Sequence, residues 1–405
     1  MLYPVRVSPV DHDNLTPRQA EQSAKMGELG TRNASLLMRT LLNYPEFLRA
    51  IGRKATRVTE TSCLPARLYQ LGCMRTVWLC DSEYLWARHR AECLELGITD
   101  EELYEVAVGP ASKKLSGADR LIVEAIDEMH YTHYLSDAKW TGFDEFGDNA
   151  VMDVMCTYSF YVTMAAAANS FGVPLDEGLS GYSAELAKLK ANQDTTVAAK
   201  AKEAFIGKAI EDYPMRVKEA DYSNLTPEQL EQTARMGRRG KASTSKLQKC
   251  MINYVDFLKA LSPFGKRGID TTCLPPRVWQ LACMRTVWLC DSEYLWSQHR
   301  KACLKFGVTD EDLYGVAEGP GSTSLKGFDR ITVSAIDDLY YNNRISDENW
   351  GKFDQFGTEG ITDLIVVYGL YVLQSCVARN FATTLEPNSL GYLPELEPLR
   401  VNQHR

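Results

Sequence analysis

Two histidines occupy matched positions where their chemistry would be useful: His89 closes the segment CLPARLYQLGCMRTVWLCDSEYLWARH (63–89), and His299 closes CLPPRVWQLACMRTVWLCDSEYLWSQH (273–299). An imidazole titrates near 6.5 and can give or take a proton at neutral pH. His89 lies seven residues after Ser82 and four before Cys93, so Ser82, Leu85, His89 and Cys93 share one face of a helix. Ser292, Leu295, His299 and Cys303 repeat the pattern. One reading is a general acid/base in a pocket between helices; the other is a histidine that only packs and hydrogen-bonds. Cys80 and Cys290 sit at a helix N-terminus, where the dipole lowers a thiol pKa, but adjacent Asp81 and Asp291 oppose that effect. Packing is the simpler role for both thiols. Asp81 and Glu83 read as helix cap and dipole partner, and Trp78 and Trp86 as core residues that can also form a pocket wall.

These groups need two helices to position them. Gln70, Met74 and Val77 fall on one face of the helix entering the junction, and Ser82, Leu85 and His89 on one face of the helix leaving it. A tight turn brings the faces together. The expectation is an enclosed, mostly apolar pocket beside each histidine, with Trp78 and Leu85, or Trp288 and Leu295, in its wall. Gln70 and Ser82, or Gln280 and Ser292, would supply hydrogen bonds.

The two segments are identical at 21 of 27 positions, and one offset of 210 residues also joins Tyr3-Pro4 to Tyr213-Pro214, Thr16-Pro17 to Thr226-Pro227, Trp140 to Trp350 and Gly181-Tyr182 to Gly391-Tyr392. The chain therefore reads as a tandem duplication: a first lobe over 1–193, a connector over 194–212 and a second lobe over 213–405. Thr16-Pro17, Pro65 and Thr99-Asp100-Glu101-Glu102 are helix starts. The apolar stretch 151–171 reads as a buried helix, the Ala/Lys-rich 197–210 as a semi-rigid helical connector, and no alternating strand pattern appears. The expected fold is all-α, two helical lobes that pack about a pseudo-twofold as two subunits of an ancestral dimer would.

Bulk properties narrow the partners. A net charge of -8 with both signs mixed along the chain argues against nucleic acid, and no membrane signal is evident. The segment MLYPVRVSPVDHD lacks the apolar core of a signal peptide, and a cytoplasmic protein is expected. The 11 cysteines contain no CxxC pair and no zinc spacing, so reduced thiols, no metal and no cofactor are expected.

The blocks PARLYQLGCMRTVWLCDSEYLWARH, LGITDEELYEVAVGP, DRLIVEAIDEMH and LSDAKW, in order and twice over, resemble the carboxymuconolactone decarboxylase family, which includes alkylhydroperoxidase-D-like proteins. The resemblance covers 60–175 and 270–385. It implies an all-helical, usually oligomeric fold, a small-molecule substrate, and His89 and His299 as the catalytic histidines. The departures are informative. Where the peroxidase branch carries two cysteines, this chain has Ser82 and Leu85, and again Ser292 and Leu295; where it carries an upstream glutamate, Gln70 and Gln280 stand. Decarboxylase-like members often place a glutamate at the position of Leu85. Cys80 is displaced by two residues, about 200° around a helix, so no dithiol peroxide reduction is expected. The acidic relay looks neutral in both lobes. Arg88, Met129 and His130 correspond to Gln298, Leu339 and Tyr340, a divergence that would let one lobe specialise.

The leading expectation is a cofactor-independent lyase or isomerase acting on a small organic acid, lactone or unsaturated carbonyl compound. The alternatives are a thiol-dependent antioxidant enzyme using Cys80 or Cys290, and a non-catalytic binding or scaffold protein.

Overall fold

Thr16 accepts a hydrogen bond from the Gln19 amide while the Gln19 side chain reaches back to the Thr16 amide, and this capping box opens α1 (Pro17–Lys25). The computed structural model describes residues 3–192 and 215–400. After a short α2 (Leu36–Leu41), Pro45 starts α3 (Pro45–Thr59), where a missing amide proton costs nothing. Pro65 precedes α4 (Ala66–Leu79), α5 (Glu83–Glu95) follows after a three-residue turn, and a Thr99–Glu102 capping box opens α6 (Asp100–Val108). The first lobe is completed by α7 (Gly117–Thr132), α8 (Asp137–Gly142), α9 (Ala150–Phe171) and α10 (Ala184–Ala191).

The same order recurs in the second lobe. It runs through α11 (Pro227–Arg235), α12 (Lys246–Met251), α13 (Val255–Ile269), α14 (Pro276–Leu289), α15 (Glu293–Lys305), α16 (Asp310–Glu318), α17 (Phe328–Asn342), α18 (Asp347–Phe353), α19 (Gly357–Asn380) and α20 (Glu397–Arg400). There is no strand among the described residues, and the fold is all-α. The connector expected over 194–212 lies outside the described residues.

The core is built on α9 and α19, which pack along each other. Every residue of α9 is buried. At their closest approach Gly369 faces Thr163, and a Cβ on Gly369 would collide with the threonine side chain. Ala150–Phe171 and Asp347–Asn380 are long and apolar enough to cross a membrane, but both lie almost wholly inside the fold.

Contacts across the lobe boundary are reciprocal, the pattern of an isologous interface. Arg6 pairs with Asp347 and lies over the Trp350 ring at 4.8 Å; its equivalent Arg216 pairs with Asp137 and lies over Trp140 at 5.0 Å. The Ile345 amide donates to Ser170 Oγ at 3.0 Å, and the matching Leu135 amide donates to Asn380 Oδ1 at 2.7 Å. Helices α3 and α13 also pack together, with Lys54 Nζ 4.9 Å from the ring of Phe264, its own equivalent.

Lys54 is fully buried, and its ammonium has no hydrogen-bond partner among the described residues. Burial lowers its pKa from 10.5 to about 8, a fall that the nearby thiols of Cys156 and Cys376 only partly offset. The folded protein thus gives up this proton at lower pH than the unfolded chain does. The resulting destabilisation, about 3 kcal/mol by linkage, is complete below pH 8 and disappears as pH rises towards 10.5. Lys54→Met should therefore stabilise the protein at pH 7, by up to that amount, and the gain should shrink between pH 8 and 10.5. Denaturant melts of both proteins across this range check it; a Lys54→Met protein less stable at pH 7 would contradict the assignment.

Candidate active site

In the turn between α4 and α5, the Ser82 amide donates to Val77 O at 3.0 Å and the Asp81 amide to Trp78 O at 3.1 Å, with Asp81 at φ 49°. This is a Schellman motif with aspartate in the left-handed position usually given to glycine. Asp291 repeats it at φ 49°. Asp81 is thus the C-terminal stop of α4 rather than a cap of α5. Ser82 and Ser292 occupy the N-cap positions, but their buried hydroxyls cap nothing and have no partner among the described residues. Glu83 instead accepts the Tyr182 amide at 3.0 Å, as Glu293 accepts that of Tyr392 at 2.9 Å.

Trp78 and Trp288 belong to the core and not to a pocket wall. Trp78 packs against Trp86 at 5.4 Å and Tyr182 at 5.2 Å, and Trp288 packs the same way against Trp296 and Tyr392. Leu85 and Leu295 are buried beside the histidines on their helices, and Leu295 also borders the cleft described below.

The two histidines have different surroundings. The His89 ring is 9% exposed and meets the edge of Tyr161 at 4.9 Å. Its Nδ1 is 3.1 Å from Glu92 Oε2, which also accepts a 2.9 Å hydrogen bond from Gln70 Nε2. Burial pushes the Glu92 carboxyl up, but His89, Gln70 and Arg88 outweigh it and bring the pKa down to about 2. The expectation of a neutral relay in both lobes is therefore wrong for the first: the carboxylate comes from the position three after the histidine, on the same helix face. That spacing was visible in the sequence. The Tyr161 hydroxyl is in turn hydrogen-bonded to Tyr69.

The second lobe lacks both partners. Ala302 replaces Glu92, and Trp279 replaces Tyr69 and sends its indole N–H to the Gly268 carbonyl. The Tyr371 hydroxyl, equivalent to that of Tyr161, is buried and has no tyrosine partner; the Cys283 thiol, a weak hydrogen-bonding group, is the neighbour it interacts with. Tyr371 and His299 meet edge to face at 5.0 Å and together line a cleft of about 730 Å³. His299 keeps a partly exposed edge, yet enclosure by protein atoms lowers its pKa to about 4, leaving the imidazole neutral at physiological pH. Gln298 and Gln374 add polar groups to the cleft, and Arg235, Arg239 and Lys266 add positive charge. Gln280 is turned towards Cys303, whose thiol lies 3.5 Å from its Oε1, as Gln70 is 4.0 Å from Cys93. Of the residues expected to surround His299, the cleft has Leu295 in its wall but not Gln280, Trp288 or Ser292. Tyr371 was missed because it sits within an almost wholly apolar helix.

Neither candidate thiol is activated. Cys80 and Cys290 are fully buried, and desolvation pushes Cys80 up to about 12 and Cys290 well above the usual thiol range. Among the described residues no three His, Cys, Asp or Glu side chains gather to hold a metal ion. No family model, no curated protein and no solved structure matches the chain.

Exposed Cys63 and Cys273 contrast with the buried thiols. Timed alkylation of the native protein, read by peptide mass spectrometry, should label these two first and leave Cys80 and Cys290 unmodified until the protein unfolds. Native-state labelling of Cys80 or Cys290 at the rate of a free thiol would reopen the antioxidant reading.

Proposed function

We propose that the protein is a lyase or isomerase acting, without a cofactor, on a small organic anion that carries a carbonyl, lactone or conjugated double bond, and that the chemistry takes place in the second-lobe cleft. The observation that carries this is the pairing of Tyr371 with a neutral His299 at the cleft wall, where the phenol has lost its tyrosine partner and keeps only the weakly hydrogen-bonding Cys283 thiol. A buried polar group so weakly partnered is unfavourable unless something else satisfies it. A substrate oxygen between the phenol and an imidazole N–H would do so. As a bond to the neighbouring carbon breaks, the electron pair moves onto that oxygen, and two fixed donors bind the developing enolate more tightly than the ground-state carbonyl. The guanidinium group of Arg239 would hold the substrate's carboxylate.

The resemblance to the carboxymuconolactone decarboxylase family supports the reaction class. In this reading His89, already engaged by Glu92 and enclosed by Tyr161, holds the first lobe together and is not the catalytic group. A second reading, an anion-binding protein without turnover, is favoured by one feature: Ala302 leaves His299 without a carboxylate to cycle its proton.

The test is to incubate the protein in D2O with a panel of keto acids, unsaturated carboxylates and carboxylactones and to follow isotope exchange, decarboxylation and isomerisation by proton NMR. Tyr371→Phe and His299→Ala should each lower turnover about 10²–10³-fold, and His89→Ala less than tenfold. The rate should stay flat through the usual histidine range near 6.5 and fall only towards pH 4, where His299 takes up its proton. A loss of turnover on His89→Ala as large as that on His299→Ala would move the chemistry to the first lobe. Binding that Tyr371→Phe weakens, with no turnover of any compound, would favour the second reading.

A further inference from the structure

The cleft at His299 does not end within the second lobe. A second depression of about 440 Å³ adjoins it and shares Arg53, Arg235 and Lys259 as walls. This extension crosses the lobe boundary: Thr56, Arg57 and Thr61 come from the first lobe, and Asp256 and Ala260 from the second. Across both depressions the lining contains six cations, with Asp256 and Asp270 as the carboxylates. The chain as a whole carries a net charge of -8, so this concentration of positive charge runs against the composition.

The cations differ in how far they are already engaged. Arg57 is tied to Asp153, Arg239 to Asp270 at 2.6 Å, Arg235 to exposed Glu231, and Lys259 to Glu228 and Asp256. Arg53 and Lys266 have no ion pair among the described residues. The pairs of Arg235, Arg239 and Lys259 are exposed, worth little, and give way readily to a more highly charged ligand, whereas that of Arg57 is buried. Half of the set is also specific to this side of the molecule, whereas Arg57, Arg235 and Lys259 correspond to the cations Arg267, Lys25 and Arg49. Positions 29 and 56, equivalent to Arg239 and Lys266, are leucine and threonine, and the equivalent of Arg53 is Pro263.

We propose that the ligand of this cleft bears a phosphoryl tail: its reactive carbonyl lies at His299 and Tyr371, and its phosphate or pyrophosphate runs across the lobe boundary onto Arg53, Arg235 and Lys259. This rests on the second-lobe cleft being the binding site. A single carboxylate is matched by one guanidinium and does not account for the rest of the cations, whereas a phosphate carries close to two charges and its oxygens accept the two-pronged donation that arginine offers. The combined space is likewise more than a small acid fills, small-ligand pockets ranging from roughly 300 to 1,000 Å³ for drug-sized molecules.

Calorimetric titration of the full-length protein with inorganic pyrophosphate, and with malonate as a dicarboxylate control, tests the proposal at low ionic strength. Pyrophosphate should bind more tightly than malonate and weaken steeply with added salt. Arg53→Ala and Arg235→Ala should each raise its Kd about tenfold, since charge-assisted hydrogen bonds are the strong ones. Arg49→Ala, at the first-lobe equivalent of Lys259, should leave it unchanged. ADP and coenzyme A as further titrants separate a nucleotide-bearing tail from a simple phosphate ester: a Kd below that of pyrophosphate, still sensitive to Arg53→Ala, selects the former. Arg53 is exposed, and a circular dichroism melt matching that of the unsubstituted protein shows that its variant is folded. Pyrophosphate binding that is absent, or indifferent to Arg53 and Arg235, overturns the tail without touching the role of Tyr371. Binding that depends on Arg53 in a protein whose turnover ignores Tyr371→Phe overturns the catalytic reading and keeps the tail.

Discussion

Asp153 is the joint on which the first lobe turns, and Asp363 does the same for the second. A carboxylate on a helix buried on all sides must have its charge met locally, because stripping it of water is otherwise prohibitive. Asp153 takes two hydrogen bonds from Arg57 on α3, at 2.7 and 2.9 Å, and a third from the Cys63 amide at 2.7 Å. Asp363 takes the equivalent bonds from Arg267 and the Cys273 amide, at 2.7 and 2.6 Å. The carboxylate thus locks the end of α3 and the approach to α4 onto the central helix. From there a second buried clamp continues the construction. Arg75 on α4 grips Asp127 on α7 at 2.5 and 2.7 Å and donates to the carbonyls of Val106 and Ala107 at the end of α6. Gly109 lies so close to this guanidinium that any side chain there would meet it, at a φ of 77° that also favours glycine. With α4 held on both flanks, the Schellman turn at Asp81 fixes where α5 starts, and so where His89 points.

Because the same scaffold is built twice, the two sites differ by what fills them and not by how they are framed. In the first lobe a carboxylate, a primary amide and a second phenol occupy the hydrogen-bonding capacity around the histidine. In the second, Ala302 in place of Glu92 removes the carboxylate, and Trp279 in place of Tyr69 packs against His299 and Tyr371 at 5.8 Å without hydrogen-bonding either, leaving a phenol and a neutral imidazole among the residues that line a cleft. The strong acid–histidine pair, which looks the more catalytic of the two by residue type, belongs to the closed site.

The duplication, the helical class and most helix starts were legible because they depend on local chemistry: a threonine cap, a proline in the first turn, an apolar run too short of charge to face water. The offset of 210 residues carried the pairing of elements without any structural knowledge. Side-chain direction was not legible. Helical spacing placed Gln70 on the face towards the junction, yet its amide is used by Glu92, and Trp78 turned into an aromatic cluster with a residue over 100 positions away, Tyr182. Such contacts depend on how helices distant in sequence cross, and periodicity within one helix does not encode that. Glu92 was within reach, since an i, i+3 pair on a helix is a local feature.

Fusion of two copies also relaxes a restriction that a symmetric dimer cannot escape. On or near a twofold axis each residue faces its own copy, so a buried cation would meet an identical cation. Here Lys54 meets Phe264, its equivalent, and the aromatic face accepts the ammonium while the neighbouring helices exclude water. The adjacent pair follows the same logic: position 53 is arginine in the first lobe, and the equivalent position 263 is proline. A homodimer with Arg53 would present that cation at both clefts, whereas the fused chain presents it at the one containing His299.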